Sequence, residues 1–278
     1  MLDLAASIDD VPLAFCDLET TGLAPSLGDR VCEVAILRCE SGEVVDALQQ
    51  LVNPRRSMSR GAYAVHGIDE EMLRDAPLFS QVANDLLELL DDAVFVGHNA
   101  TFDLGFLAAE LGRLGVVLPS LVALDTLRLA RRNYHFGSYS LQRLARALSI
   151  DISGRGHRAM TDVLTTRALF WRLADDLWQR SVRSVTDYVA AQGGALRISP
   201  RPVLDVPPPI RQALLENRLL FLRYLSLQGE ETERLVRPVR VSERGGNLFL
   251  LAHCLLRDAQ RSFRLDRILE VGTVESFE

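Results

Sequence analysis

The residues of this chain whose types and spacing could do chemistry are Asp17 and Glu19 in FCDLETTGL, Asp103 in GHNATFD, and His157 with Asp162 in GHRAMTD. Side chains alternate faces along a strand, so a D-x-E pair presents both carboxylates on one side. Asp103, His157 and Asp162 each sit where a strand end or helix start could bring them to the same point. Four carboxylates gathered there repel one another and raise each other's pKa unless a cation lies among them. Ligands that are all oxygen favour Mg2+ or Mn2+ over softer metals. A nest for two such ions suits hydrolysis of phosphodiesters, with bridging acids from one strand, a further acid from another element and a base to take the proton of water. His157 has the intrinsic pKa for that base, and Asp162 would close the metal cage.

The elements that must position these groups are legible from pattern. Residues 12–19 read as a strand, Thr20-Thr21-Gly22 as a turn, and residues 31–38 and 44–52 as two further strands of an antiparallel meander. Residues 79–90 have helical periodicity, and residues 93–96 form a short apolar strand. Thr101 is placed to cap a helix running to about Leu111, which puts Asp103 in a first turn where the helix dipole favours an acid. Residues 121–124 suggest another strand, and residues 139–148 and 159–173 two amphipathic helices, with helix continuing to about Ala191. Asp162 falls early in the second of these helices, with His157 in the glycine-flanked loop before it. Gln192-Gly193-Gly194 and the proline-rich stretch 200–209 read as a linker. After it come an opening helix at 210–216 and strands at 219–227, 233–241 and 247–253. The expected division is a first domain over 1–175, a helical extension and linker over 176–206, and a mostly β domain over 207–278.

Composition bounds the rest. The chain has 278 residues, 48% of them hydrophobic and 24% charged, which is ordinary for a globular protein. No apolar run reaches membrane-spanning length, and MLDLAASIDDVP lacks the basic start and apolar stretch of a signal peptide, so the expectation is a cytoplasmic protein without a membrane partner. Cys16, Cys32, Cys39 and Cys254 form no CxxC pair and read as buried free thiols. The net charge of −6 does not by itself invite nucleic acid. Every cation is arginine, and each is a planar fork suited to phosphate.

Taken together and in order, D-x-E-T-T-G at Asp17–Gly22, H-N-A-x-F-D at His98–Asp103 and H-x4-D at His157–Asp162 resemble the DEDDh 3′–5′ exonucleases, the family of the proofreading epsilon subunit. VHGI at Val65–Ile68, DTL at Asp125–Leu127 and YSLQRLA at Tyr139–Ala145 support the resemblance, which spans about Pro12 to Leu173. It implies an α/β, RNase H-like fold, a mixed β-sheet flanked by helices. It also implies two divalent ions, Mg2+ or Mn2+. Asp17, Glu19 and Asp162 would hold the first ion, Asp17 would bridge to the second with support from Asp103, and His157 would be the base. Thr20 and Leu23 follow as contacts to the terminal 3′ nucleotide, with His66 and Phe102 as further candidates. His98 is read as structural, satisfying nearby backbone. The implied activity is release of nucleoside monophosphates from single-stranded 3′ ends, with DNA favoured over RNA, in DNA repair or nucleic-acid turnover.

Residues 210–271 resemble a WYL domain through FLRYLSLQGEETERLVRPVRV, NLFLLAHC and RSFRLDRILEV, although the naming triplet is reduced to Leu248, Phe249 and Leu250. The resemblance implies a small Sm/SH3-like β-barrel that binds a second nucleic acid or a nucleotide ligand in a regulatory role. Arg237, Arg240, Arg261, Arg264 and Arg267 are its candidate phosphate or ligand contacts. The plainer reading is that Asp266 and neighbouring acids pair with these arginines. For the chain as a whole, the alternatives are a non-catalytic nucleic-acid sensor and an RNA-processing exoribonuclease.

Overall fold

A computed structural model describes residues 2–114, 116–151, 157–197, 206–216 and 218–274. The meander expected from alternation is present as β1 (Leu13–Thr20), β2 (Val31–Glu40) and β3 (Glu43–Leu51). Two short helices, α1 (Arg60–His66) and α2 (Glu70–Leu73), and a longer one, α3 (Phe79–Leu90), lead to β4 (Val94–Gly97) and α4 (Ala100–Arg113). Then follow β5 (Ala123–Asp125), α5 (Thr126–Asn133), α6 (Leu141–Ala147), α7 (Ala159–Gln179) and α8 (Val185–Ala191). The sheet order is β3-β2-β1-β4-β5. The meander pairs antiparallel, while β1 with β4 and β4 with β5 pair parallel, so the sheet is mixed.

Alternation along β1 divides the interior into two layers. Leu13 and Phe15 pack with α5–α8 residues such as Leu129, Leu144, Phe170 and Tyr188. Ala14, Cys16 and Leu18 face α3 and α4 through Leu86, Leu90, Leu104 and Leu107. Asp17 and Glu19 continue the first set, so period-two geometry turns them toward the α7 side. All four cysteines are free and buried, as their apolar setting predicts.

The last long helix is shorter than expected. The helix expected to run on to about Ala191 ends at Gln179, where Ser181 takes a positive φ of 63°. Ser184 then starts α8 with a capping box, accepting from the Asp187 N–H while the Asp187 carboxylate accepts from the Ser184 N–H. Leu177, Val185 and Tyr188 are buried in the first layer. Just past α8, the buried Gln192 side chain accepts from the Asp125 N–H (2.8 Å) and donates to the Ala123 carbonyl (2.9 Å).

The second unit has α9 (Pro208–Glu216) and strands β6 (Leu219–Leu225), β7 (Glu231–Arg244), β8 (Asn247–Cys254), β9 (Ala259–Arg264) and β10 (Ile268–Val274). They form an antiparallel sheet in the order β10-β6-β7-β8-β9. Among the described residues no ladder joins β9 to β10, so what is seen is an antiparallel sheet and not the closed barrel expected. One face is sealed by α9: Ile210 and Ala213 pack on Leu220, Leu222, Val236, Leu250 and Phe263.

Candidate active site

The β1–β4 ladder stops at Phe15–Val96, because β4 turns into α4 at Gly97. The Leu18 N–H beyond that point donates instead to Asp103 Oδ1 at 3.1 Å, which fixes the buried Asp103 carboxylate beside β1. Asn99 makes the turn into α4 in the left-handed region, and its N–H donates to Asp125 Oδ1 at 2.9 Å. The same Asp125 carboxylate caps α5 through the Leu127 N–H.

On the other side of β1, ligand atoms of Asp17, Glu19 and Asp162 all lie within 4.8 Å of one another. Asp162 is in the first turn of α7, and the Gln142 amide donates to its oxygens at 3.3 and 3.4 Å. Burial first, and then neighbouring carboxylates, push these acids up. Asp17 is raised well above the carboxylate range by burial and by Asp103, Asp162 and Glu19. Glu19 is pushed up to about 8 by burial, Asp162 and Glu33, with Arg158 acting against them. Burial also raises Asp103 and Asp162. Oxygen donors that cannot all ionise together are the donor set a hard divalent cation relieves, so these residues fit Mg2+ or Mn2+.

His157 stands at the start of α7 with a φ of 63°; its side chain is half-exposed and its Nδ1 is 3.9 Å from Asp162 Oδ2. Of the five residues read from sequence, three therefore meet directly. Asp103 joins through the Leu18 N–H, and His157 lies alongside Asp162.

The other candidates are distributed around the same strand end. Thr20 is buried, and its hydroxyl donates to the Gly22 carbonyl at 2.7 Å. His66 is buried, accepts from the Ile68 N–H at Nδ1 (3.0 Å) and faces the Thr20 carbonyl with Nε2 (3.3 Å). With Nδ1 accepting, Nε2 carries the proton and donates to Thr20, so His66 braces the turn after β1. Burial lowers its pKa. Leu23 is 84% exposed, a bare apolar tip on that turn. Phe102 lies in the first turn of α4, its ring 4.9 Å from that of Phe106. His98 is held between Thr126 Oγ1 (2.9 Å) and the Tyr139 carbonyl (3.0 Å), the structural role expected of it.

Sequence reasoning missed Glu33. It is buried in β2 opposite Glu19 and takes a bidentate pair from Arg158 as well as the Ala159 N–H. Despite burial, Arg158 and the Ala159 N–H hold its carboxyl below the usual range. The signal available was a charged residue inside the otherwise apolar run VCEVAIL.

In the second unit, Arg237 and Arg261 are exposed and Arg267 is half-buried. Arg264 is engaged: it donates to Asp266 at 3.0 and 2.5 Å and to Asn247 Oδ1 at 2.9 Å, the plainer reading for that residue. The Arg240 side chain lies outside the described residues.

A mixed sheet with clustered acids at the end of its first strand defines a nuclease-like α/β domain. Residues 14–170, more than half of the chain, match the exonuclease family model (RNase_T), and the chain belongs to that family. Residues 205–272 match the WYL domain. The DNA polymerase III PolC-type of Caldanaerobacter subterraneus is 34% identical over 172 residues, covering 62% of this chain and 12% of that protein. The 3′-5′ exonuclease DinG of Bacillus subtilis is 34% identical over 164 residues, covering 59% of this chain and 18% of that protein. The chain thus spans less than a fifth of the length of these relatives. Among solved structures, exonuclease X in complex with 5′ overhanging duplex DNA is 27% identical with a TM-score of 0.50, covering 65% of this chain and 99% of that one.

Proposed function

We propose that this protein is a metal-dependent 3′–5′ exonuclease that releases nucleoside monophosphates from single-stranded 3′ ends, with DNA the favoured substrate. The observation that carries the reading is the convergence of Asp17, Glu19 and Asp162 within 4.8 Å. Divalent ions held there would supply a nucleophile at neutral pH and charge stabilisation at the leaving oxygen. Asp17 and Asp103, on either side of the β1 end, would complete the cage toward a second ion. His157, exposed beside Asp162, would take the proton from water and pass it to solvent. Leu23, bare on the turn held by Thr20 and His66, offers an apolar surface for the terminal base.

The WYL-like unit would bring a second stretch of nucleic acid or a nucleotide ligand to the molecule through exposed arginines, with Arg237 on β7 and Arg261 on β9 as separate candidates because their register partners His253 and Ala252 put them on opposite faces of the sheet. A role in DNA repair or turnover fits this pairing of a nuclease with a recruiting module.

The test is a panel of end-labelled single-stranded DNA, single-stranded RNA and duplexes, incubated with Mg2+ or Mn2+. Mononucleotides released first from the 3′ end of single strands are expected. Folded protein that releases nothing with either ion would sink the catalytic reading, and retained binding without cleavage would favour a sensor.

A further inference from the structure

We propose that the Glu33–Arg158 pair is a positioning element of the candidate active site. It clamps the first turn of α7, and with it His157 and Asp162, against the strand end that carries Asp17 and Glu19. The inference rests on the functional reading above.

Glu33 lies directly across the β1–β2 ladder from Glu19. It is 1% exposed and lies outside the group of carboxylates that could share an ion. Its two oxygens are already occupied. Arg158 Nε donates to Oε2 at 3.0 Å and Arg158 Nη2 to Oε1 at 2.8 Å. The Ala159 N–H donates to Oε2 at 3.1 Å, and the Gln49 amide to Oε1 at 3.4 Å.

Two of these partners belong to the start of α7. A helix leaves its first N–H groups unsatisfied, and an acceptor on the N-cap side chain ordinarily takes one of them. The N-cap of α7 is Arg158, which has no acceptor to offer. Glu33 takes over that role from across the sheet. The parallel bonds of a guanidinium fork also fix orientation as well as distance, which a single ammonium contact does not.

The residue just before the clamp is His157, held at a φ of 63°. A side chain other than glycine stays in that region only where its surroundings fix it. Three residues beyond Ala159 is Asp162, whose oxygen is 3.9 Å from His157 Nδ1. One buried carboxylate on β2 therefore sets where the base and the last acid of the cage stand relative to Glu19. Neither Glu33 nor Arg158 needs to touch the reacting atoms.

The experiment compares the full chain with Glu33→Gln, Arg158→Gln, the double variant and Arg158→Lys. For each, kcat and KM are measured on a labelled single-stranded oligonucleotide with Mn2+. Mn2+ affinity is measured by titration calorimetry without nucleic acid, and the thermal midpoint is recorded. Each single variant is expected to lose roughly 10–100-fold in kcat and in Mn2+ affinity, the range seen when residues that orient metal ligands are removed. KM should hold to within about twofold, because the substrate groove is not altered. The double variant should fall no further than either single, since both act through one contact. Arg158→Lys keeps the charge but not the fork, and should recover folding stability without recovering kcat.

Unchanged kcat and Mn2+ affinity beside a lowered thermal midpoint would overturn the proposal and leave the pair as ordinary packing. So would a Lys variant with full rate, or additive losses in the double variant. Where Glu33→Gln fails to fold, Arg158→Lys decides on its own. If the wild-type chain releases no nucleotide, the functional reading fails while the Mn2+ affinities still decide this one.

Discussion

At the residue scale, burial and neighbouring acids oppose ionisation of Glu19 and Asp17, which costs the fold stability when no cation offsets their charge. A carboxylate raised from about 4.5 to about 8 contributes fully only below its unfolded pKa, and the contribution is lost as pH rises through 8. The thermal midpoint of chelator-treated protein should therefore fall between pH 5 and pH 9. Added Mn2+ should reverse much of the fall, and a midpoint that rises over that window in scanning calorimetry would refute the assignment. His157→Ala should lower kcat by roughly two to four orders of magnitude with Mn2+ affinity retained, because His157 lies beside the carboxylate cluster and not within it. A defect confined to KM in steady-state kinetics would give His157 a binding role instead. Strand period put Asp17 and Glu19 on one face, whereas Asp103, His157 and Asp162 were singled out by the ordered motifs of the family resemblance. Glu33 was not, because its importance comes from a neighbour 125 residues away.

At the element scale, the strand pattern pointed to the meander and to one shared face for Asp17 and Glu19, while the side that face takes came from the packing of the two layers. The short helices α1, α2 and α5 were not legible. Six of the seven α1 residues are not buried, so no apolar stripe marks it, and Ser59 and Asp69 are the only cues to where α1 and α2 begin. Strands β9 and β10 were also missed: β9 is polar and exposed over half its length, and β10 shows no alternation between buried and exposed positions. A second long-range pair ties elements together: Arg30, leading into β2, grips the buried Glu110 of α4 at 2.7 and 2.8 Å. Burial alone would raise Glu110, but Arg30, Arg113 and the Val31 N–H more than offset it, and the pKa is lowered. Arg30→Ala would leave most of that charge uncompensated and should cost about 3–5 kcal/mol, read from the urea midpoint. A loss below about 1 kcal/mol would mean that Arg113 suffices.

At the scale of the whole molecule, the hydrophobic clusters separate by sequence. Those around the first sheet draw on residues up to Leu196, and the one beneath the second sheet on residues from Val206 onward. No described helix is long and apolar enough to cross a membrane. A fragment of residues 2–197 is therefore expected to fold and to retain kcat within about threefold on short oligonucleotides, because every group of the candidate site lies within it. Circular dichroism and a nucleotide-release assay check this; a fragment that folds but is inactive would place part of the site in the second unit. The expectation of two units was read from the proline-rich stretch and the change in pattern. The open second sheet was not, because strand pattern does not say whether edge strands meet.

The Gln192 side chain gives the nuclease half a boundary of another kind. β5 is a three-residue strand at the rim of the sheet, and its Asp125 N–H and Ala123 carbonyl would otherwise be free to template a foreign strand. A primary amide has the same donor and acceptor as a peptide group, so Gln192 imitates a neighbouring strand one bond pair long. The residue after α8 thus closes that edge of the sheet. Gln192→Leu should keep the initial activity yet accumulate soluble aggregate on storage, measured by light scattering; a variant that stays monodisperse would show that the edge needs no such cover.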